Sequence, residues 1–301
     1  MMNRRIMAPA KSIGIWGNTD KPQFWSLLQP LIQWIEENNG TPYLTTRIRD
    51  VCPSSFPSQV HFIEHPDDLN KLDLLLVMGG DGTLLSAARA VQQASLPILG
   101  IHLGNLGFLA KVEENNVKDY LYQVMAGDYS MDQRSILKGT LQKESESVSH
   151  YAMNEFVVRN SQMHRIMSIE VKVNHVFVGN YNADGLIVAT PTGSTAYSLS
   201  AGGPIMAPDV HTIVITPISP HSLTARPLVV SDQSMIEIRV IEQDQPFIVT
   251  ADGQIHEEMF PSDLIQIQRG ENTIQLIDVD SESYFKTLRT KMGWGQRGEK
   301  K

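Results

Sequence analysis

Residues Leu72–Ala88 read LDLLLVMGGDGTLLSAA, an apolar run that passes through a glycine-rich turn into an amphipathic run. The first part, Leu72–Met78, is apolar at every position except Asp73, as expected of a parallel strand that is buried on both faces. A buried strand, a glycine-rich turn and a helix in this order are typical of open α/β sheets. We therefore predict a parallel sheet with helices on its faces.

Further short apolar runs alternate with longer amphipathic runs around this stretch, which predicts a Rossmann-like α/β domain over residues 1–133. Pro30 lies inside the first amphipathic run and predicts a break or a kink in that helix. The other runs that define the domain are Lys11–Gly17, Phe24–Glu37, Pro42–Thr46, Thr83–Ala94, Leu96–Gly104 and Asn116–Met125.

The pattern changes beyond about residue 134, where short β-rich segments follow one another and are separated by turn residues. Many of them, such as Met235–Ile241, alternate apolar with polar residues. We predict a second domain over residues 134–278, an antiparallel β-sandwich. Helical spacing of apolar residues in Ser281–Met292 predicts a C-terminal helix. With the tail, residues 279–301 are expected to pack back on the first domain.

Composition narrows the classes of function. The 301 residues include 25 Lys and Arg against 33 Asp and Glu, so the formal net charge is −8, and 42% of residues are hydrophobic. The chain suits a packed globular protein, and its acidity disfavours nucleic acid and anionic membranes as partners. Cys52 is the only cysteine, which excludes an intramolecular disulfide and a thiolate zinc site. No signal peptide or membrane span is recognisable, which predicts a cytoplasmic protein.

The turn Gly79-Gly80-Asp81-Gly82-Thr83 is a candidate phosphate loop. Glycines let the backbone approach a bulky ligand, and the helix that follows offers unpaired N–H groups to phosphate. A carboxylate beside phosphate suits a proton acceptor for a hydroxyl or a magnesium ligand, and Asp81 is a candidate for either role. In the alternative interpretation, Asp81 only caps the helix and the glycines only form a tight turn.

Two further segments carry groups that suit a nucleotide. Residues Asp184–Ser198 combine small hydroxyl residues, glycines and Tyr197, whose ring can stack on a flat base. The amide of Asn154 beside the carboxylate of Glu155 can bind the hydroxyls of a ribose as acceptor and donor together. Asp252-Gly253 favours a hairpin turn. Each motif taken alone is also typical of an ordinary loop or turn.

Together these residues resemble the NAD kinases, the enzymes that phosphorylate NAD to NADP. The similarity extends from about Ile13 to Trp294, and the glycine stretch Gly14–Asn18 is a looser match to which no nucleotide contact is assigned. Four motifs occur in the family's order and approximate spacing, namely Gly79–Thr83, Asn154-Glu155, Asp184–Pro204 and Asp252-Gly253-Gln254.

The resemblance implies a role for Asp81 as the proton acceptor, which takes the proton of the adenosine ribose 2′-hydroxyl as it attacks the γ-phosphoryl group. It also implies that Asn154 and Glu155 hold that ribose and that Asp184 matches a position at the nicotinamide end. The phosphate loop comprises Gly79, Gly80 and Thr83. The implied NAD-binding residues are Asp81, Gly82, Asn154, Glu155, Arg165, Asn182, Asp184, Thr195, Ala196, Tyr197, Ser198, Leu199, Ser200 and Gln254.

One position departs from the family's pattern. Asn182 stands where relatives often carry an arginine, and the choice between NAD and NADH stays open at this point. Arg165 lies where the family places a basic residue after the strand that begins with Asn154-Glu155.

The implied reaction is the Mg²⁺-dependent transfer of the ATP γ-phosphoryl group to NAD, which gives NADP and ADP. Mg²⁺ is expected on the phosphates of the donor, which is why no carboxylate cage is expected in the protein. The donor is ATP, with polyphosphate as an open alternative. The resemblance also points to a homodimer or a homotetramer in which a subunit interface completes the nicotinamide pocket.

Two other functions are compatible with the motifs. A lipid or small-alcohol kinase shares the Gly-Gly-Asp-Gly loop and predicts an apolar acceptor pocket in the β domain. A non-catalytic NAD(P) sensor predicts tight dinucleotide binding without any product.

Overall fold

The computed structural model describes residues 10–52, 60–161, 166–241, 245–278 and 283–294. The chain divides into two compact units. The first comprises the described residues up to Asp132 together with those from Ile274 onward, and the second comprises Gln133–Thr273.

The first unit is an α/β structure in which strands and helices alternate along the chain. Short 3₁₀ turns at Pro66–Lys71 and Glu114–Asn116 connect some of them. Its main elements are β1 (Ser12–Gly17), α1 (Pro22–Glu37), β2 (Thr41–Thr45), α2 (Thr46–Val51), β3 (His61–Ile63), β4 (Leu74–Gly79), α3 (Asp81–Val91), β5 (Ile98–His102), β6 (Val112–Glu113) and α4 (Val117–Met125).

A parallel sheet forms the centre of this unit. Its strand order is β3-β2-β1-β4-β5, and each neighbouring pair is parallel. Every residue of β4 and β5 is buried, in agreement with the continuous apolar runs of the sequence. The carboxyl ends of the five strands meet at one edge, where the last residues are Gly17, Thr45, Ile63, Gly79 and His102.

Helix α1 continues through Pro30, so the predicted break at this residue is wrong. Pro30 itself is exposed. A proline inside a helix costs about 3 kcal/mol, whereas burial of one large apolar side chain contributes about 1.5–3 kcal/mol. The helix buries several such side chains, which together outweigh the proline, namely Phe24, Leu28, Leu31, Ile32, Trp34 and Ile35.

The second unit consists almost entirely of antiparallel strands, which confirms the predicted fold class. Its short helical elements are a 3₁₀ turn at Gly193–Thr195 and α5 (Tyr197–Ser200). The strands are β7 (Ser130–Gln142), β8 (Ser147–Ala152), β9 (Glu155–Asn160), β10 (Met167–Val173), β11 (Val176–Ala183), β12 (Gly185–Ala189), β13 (Thr212–Ile218), β14 (Leu228–Ser231), β15 (Ile236–Ile241), β16 (Phe247–Ala251), β17 (Ile255–Met259) and β18 (Leu264–Asp278).

These strands form two layers. One sheet has the order β14-β13-β12-β9-β16-β17, and the other contains β11-β10-β15-β18 with β7 beside β18 and β8 beside β7. Side chains of both layers share one hydrophobic core, in which Phe156 of β9 and Ile238 of β15 are buried. The unit is therefore a β-sandwich.

A last helix, α6 (Ser283–Met292), follows β18 and belongs to the first unit. The ammonium group of Lys291 lies 5.1 Å from the centre of the Phe108 ring there. Across the described ranges, every helix falls short of the length and hydrophobicity that a membrane crossing demands.

Candidate active site

The glycine-rich turn lies at the carboxyl edge of the parallel sheet, between β4 and α3. A methyl group added to Gly79 would lie 2.4 Å from the Thr83 hydroxyl, so this glycine is closely packed. A methyl group added to Gly80 or Gly82 would meet nothing within 4 Å. The turn therefore has open space over two of its three glycines, at a helix N-terminus where N–H groups attract phosphate.

Asp81 does more than begin this helix, because its carboxylate binds a different segment of the chain. It accepts hydrogen bonds from three consecutive backbone N–H groups, those of Phe108 at 2.9 Å, Leu109 at 3.0 Å and Ala110 at 3.3 Å. A carboxylate has about four acceptor positions, so these bonds leave about one, on Oδ2. Asp81 is half-buried and lies between Gly80 and Gly82, the two glycines with open space.

The segment that Asp81 binds was not predicted as part of the site. A methyl group on Gly107 would lie 2.0 Å from Oδ1 of Asp81, so glycine allows the two segments to approach this closely. Gly104, three residues earlier, has a φ of +103°, a conformation that favours glycine. Two glycines directly after a buried strand are the signal that could have indicated this loop.

In the second unit, Asp252 holds the backbone in the same manner. Its carboxylate accepts hydrogen bonds from the N–H groups of Met153 at 3.0 Å, Asn154 at 2.7 Å and Glu155 at 3.2 Å. The N–H of Asp252 in turn donates to the Glu155 carbonyl at 3.0 Å. Asp252 is only 8% exposed and has a φ of +50°, in the turn between β16 and β17 that the sequence predicted. The turn thus fixes the Asn154-Glu155 pair.

The Glu155 carboxyl group has an unusual environment. Burial raises its pKa to about 8, the charge of Asp252 adds to the rise, and a hydrogen bond from the Tyr197 N–H opposes it. Among the described residues, Oε2 of Glu155 has no hydrogen-bond partner although it is buried. A neutral carboxyl group offers one O–H donor and further acceptor positions, so Glu155 can both donate to and accept from a sugar hydroxyl.

The segment Thr190–Ser200 is fastened to the Asn154-Glu155 pair. The Thr190 N–H donates to the Asn154 carbonyl at 2.9 Å, and a methyl group on Gly193 would lie 2.1 Å from that same carbonyl oxygen. The structure therefore brings the two predicted motifs together through backbone contacts that only a glycine permits.

Side chains around Tyr197 differ in how much they offer to a ligand. The Tyr197 side chain is 45% exposed, so its ring is accessible for stacking. The Ser198 hydroxyl is buried and lies 3.0 Å from Thr216 Oγ1, so it is engaged within the protein. The neighbours are the half-buried Thr195, Ala196 and Leu199 and the exposed Ser200.

Three remaining predicted residues lie in two places, the turn that contains Asp252 and the end of β11. Asn182 lies near the end of β11, Asp184 follows that strand, and Gln254 lies in the turn after β16, and all three are exposed. Arg165 lies outside the described residues, so its contact stays a prediction. No three His, Cys, Asp or Glu side chains group as a metal site within the described ranges.

Arg134 is another residue that sequence reasoning missed. It is 2% exposed, and its guanidinium donates to Thr192 Oγ1 at 3.2 Å, beside the Thr190–Ser200 segment. A single arginine in a strand gives no local signal, because only the pairing of distant strands places it here.

Comparison with known proteins assigns the chain to a protein family. The profile of the ATP-NAD kinase N-terminal domain matches residues 13–129, and that of the ATP-NAD kinase C-terminal domain matches residues 153–279. The chain belongs to the NAD kinase family. The resemblance found from the motifs is thereby confirmed, and the protein is an enzyme of the kinase class.

Whole-length relatives agree with this assignment. The NAD kinase of Heliobacterium modesticaldum is 38% identical over 289 residues, which cover 95% of this chain and 99% of that protein. The NAD kinase of Geobacter sulfurreducens is 35% identical over 297 residues, which cover 95% of this chain and 100% of that protein.

Solved structures agree in fold. Yeast NADH kinase complexed with NADH is 24% identical and has a TM-score of 0.90, with 97% of this chain and 90% of that chain covered. An NAD kinase from Archaeoglobus fulgidus in complex with ATP is 23% identical and has a TM-score of 0.74, with 93% and 99% covered. Both confirm an N-terminal α/β domain with a C-terminal antiparallel β domain.

Proposed function

We propose that the protein transfers the γ-phosphoryl group of ATP to the 2′-hydroxyl of the adenosine ribose of NAD, which gives NADP and ADP. The observation that carries this proposal is the Asp81 carboxylate, which three N–H groups orient and which lies in the turn that has open space at Gly80 and Gly82. The names of the relatives support NAD as the acceptor.

Asp81 is assigned as the proton acceptor. The 2′-oxygen attacks the γ-phosphorus, the bond from that phosphorus to the bridging oxygen breaks, and ADP leaves with the bond's electrons. The hydroxyl proton passes to the remaining position on Oδ2. The bonds from Phe108, Leu109 and Ala110 prevent the carboxylate from rotating, so the base is positioned before the substrate arrives.

Binding of NAD is assigned to residues of the second unit. The neutral carboxyl group of Glu155 donates to one ribose hydroxyl, and the Asn154 side chain binds beside it. The Tyr197 ring stacks on the adenine. The other residues assigned to NAD are Arg165, Asn182, Asp184, Thr195, Ala196, Ser198, Leu199, Ser200 and Gln254.

A divalent cation such as Mg²⁺ is assigned to the phosphates of the donor. Mg²⁺ in phosphoryl-transfer sites is held mainly by substrate phosphates with one or two carboxylates, and it neutralises charge there. ATP is the assigned donor, and the ATP found in the Archaeoglobus fulgidus relative supports this choice. We also propose that the protein is a homodimer or a homotetramer, which light scattering after size-exclusion chromatography measures.

The decisive experiment is an assay with purified protein, NAD, MgCl₂ and either ATP or polyphosphate, in which NADP is detected by an NADP-specific dehydrogenase. We expect NADP with ATP and none after removal of divalent cations with EDTA. Parallel reactions with NADH test the alternative acceptor. Bound NAD without NADP under either donor contradicts the proposal.

A further inference from the structure

The first unit contains a concave site at the carboxyl edge of the parallel sheet, the edge at which Asp81 also lies. It is a cavity of about 330 Å³. Trp16 and Gly17 at the end of β1, Thr45 at the end of β2 and Ile63 at the end of β3 line it. The crevice outside the carboxyl ends of the strands is where open α/β sheets bind ligands.

This cavity adjoins the phosphate loop. β1 pairs with β4, with Gly17 opposite Met78, so the strand that lines the cavity is next to the strand that ends at Gly79. Ser86 and Ala90 of α3 also line the cavity, and α3 begins at Asp81. At a rise of about 1.5 Å per residue, Ser86 lies about 7–8 Å along the helix from Asp81.

The lining has the chemistry of a site for a flat, heterocyclic base. The Trp16 ring is half-buried, and Ile63 and Ala90 add apolar surface. Thr45, Thr46 and Ser86 also line the cavity, and within the described ranges no hydrogen bond engages the hydroxyl of any of the three. Apolar walls with a few polar groups are typical of small-molecule sites.

Positive charge lies beside the phosphate loop, at Lys21, and in the lining of the cavity, at Arg47. The Lys21 ammonium donates to the Leu103 carbonyl, and the Leu103 N–H donates to the Gly79 carbonyl at 3.1 Å, so Lys21 lies close to the loop. Among the described residues Lys21 forms no ion pair. Arg47 at the cavity bonds Thr19 and lies 3.5 Å from the Asp20 carboxylate. The carboxylate of the lining, Glu64, pairs with Arg49 at 2.8 Å.

We propose that this cavity binds the base of the nucleoside triphosphate donor, with the triphosphate extending along the carboxyl edge of the sheet to the Gly79–Thr83 loop, beside which the Lys21 ammonium lies. The inference rests on the proposed function and adds the structural basis for donor choice. A nucleoside triphosphate fills the cavity, whereas inorganic polyphosphate has no base and leaves it empty. Gly14–Asn18, to which the sequence assigned no nucleotide contact, then supplies Trp16 and Gly17 to the donor site.

A second cavity of the first unit does not fit this role. It has a volume of about 210 Å³ and is lined by Ile98 and Gly100 of β5, Leu276 of β18 and Thr287 of α6. Ile98 begins β5, so this cavity is not at the carboxyl edge of the sheet.

The first test fills the proposed base site. Ala90 is exposed on α3, so Ala90→Trp introduces a ring into the cavity without disturbing the core. We expect the KM for ATP to rise at least about tenfold, with the KM for NAD unchanged. Gln93→Trp, an exposed position two residues after α3, is the matched control and keeps the wild-type KM for ATP.

Two further measurements test the proposed base site. Thr46→Val, which removes one hydroxyl at almost constant volume, should raise the KM for ATP by a smaller factor. Any NADP formed from inorganic tripolyphosphate should be insensitive to both substitutions. An unchanged KM for ATP in Ala90→Trp, or an equal loss with tripolyphosphate, overturns the inference.

Photolabelling with 8-azido-ATP and MgCl₂ tests binding without turnover. We expect the label in peptides that contain Trp16, Thr45 or Ile63, and we expect ATP to suppress it while tripolyphosphate does not. Label confined to other peptides overturns the inference while NADP formation stands. Label in these peptides with no NADP under any donor supports the cavity assignment and overturns the proposed function.

Discussion

Asp81 in the first unit and Asp252 in the second bind the backbone in nearly the same way, yet their surroundings differ. Each carboxylate accepts hydrogen bonds from three consecutive N–H groups of a segment distant in sequence. Asp252 is only 8% exposed, whereas Asp81 is half-buried beside two glycines with open space. The same hydrogen-bond pattern therefore supports a neighbouring residue in one unit and stands beside open space in the other. Accessibility separates the two roles.

The largest effect is expected from Asp81→Asn, which tests whether the Asp81 carboxylate takes part in the reaction. An amide cannot take the hydroxyl proton, so kcat should fall about 10²–10⁴-fold while NAD still binds. Coupled NADP formation measures kcat, and calorimetry measures NAD binding. Because Asp81 also holds the Phe108–Ala110 segment, thermal unfolding of the variant is the control. A variant with near-normal kcat removes Asp81 from the mechanism.

Asp252→Ala tests whether the Asp252 carboxylate stabilises the folded protein. It leaves three N–H groups without their acceptor and places alanine at a φ of +50°, so we expect the free energy of unfolding to fall by at least about 3 kcal/mol. Asp252→Asn keeps one acceptor oxygen and tolerates that φ, so it should cost less. Urea unfolding measures both. If Asp252→Ala kept wild-type stability but lost turnover, Asp252 would be a reacting group and the comparison would fail.

The pKa of Glu155 is raised by burial of its carboxyl group and, to a smaller extent, by the charge of Asp252. This pKa is about 8 in the folded protein against 4.5 for an ordinary glutamate, so the folded state binds the proton more tightly. The resulting stabilisation is complete below pH 4.5 and is lost as the pH rises to about 8. We therefore expect the Tm of Glu155→Gln to match the wild-type Tm near pH 4.5 and to exceed it by several degrees above pH 8.

A thermal-shift series across pH checks this expectation. Asp252→Asn is the matched control, since loss of the Asp252 charge should lower the pKa of Glu155 and move the transition to a lower pH. Parallel Tm curves for wild type and Glu155→Gln at every pH would contradict the assignment.

The smallest effects are expected from two glycine substitutions near Asp81, one into open space and one into a closely packed position. Gly82→Ala adds a methyl group to open space, so the Tm should stay the same while kcat/KM falls about tenfold if substrate occupies that space. Gly107→Ala places a methyl group 2.0 Å from Asp81 and should lower the Tm as well as kcat. Steady-state kinetics and thermal unfolding separate the two. A lowered Tm in Gly82→Ala would mean that the open space belongs to the fold.

Local patterns predicted those elements whose type is indicated by the residues of one short segment. Leu74–Gly79 and Ile98–His102 are buried strands, as their continuous apolar runs indicated. The break predicted at Pro30 is wrong because the helix-breaking tendency of proline is a local property, whereas the burial of the α1 side chains depends on the rest of the unit. The contact of Ser198 with NAD stays a prediction, and the structure adds a contact between its hydroxyl and that of Thr216 in β13, which the local sequence does not indicate.

Residue types at fixed spacing along the chain were sufficient to predict the two fold classes, the order of the motifs and the family. The groups that surround the two carboxylates follow from the folded structure. Asp81 binds N–H groups 27–29 residues away, and Asp252 binds N–H groups 97–99 residues away. Hydrogen bonds and burial depend on distances in space, which chain folding sets, so the accessibility that distinguishes Asp81 from Asp252 has no signature in the local sequence.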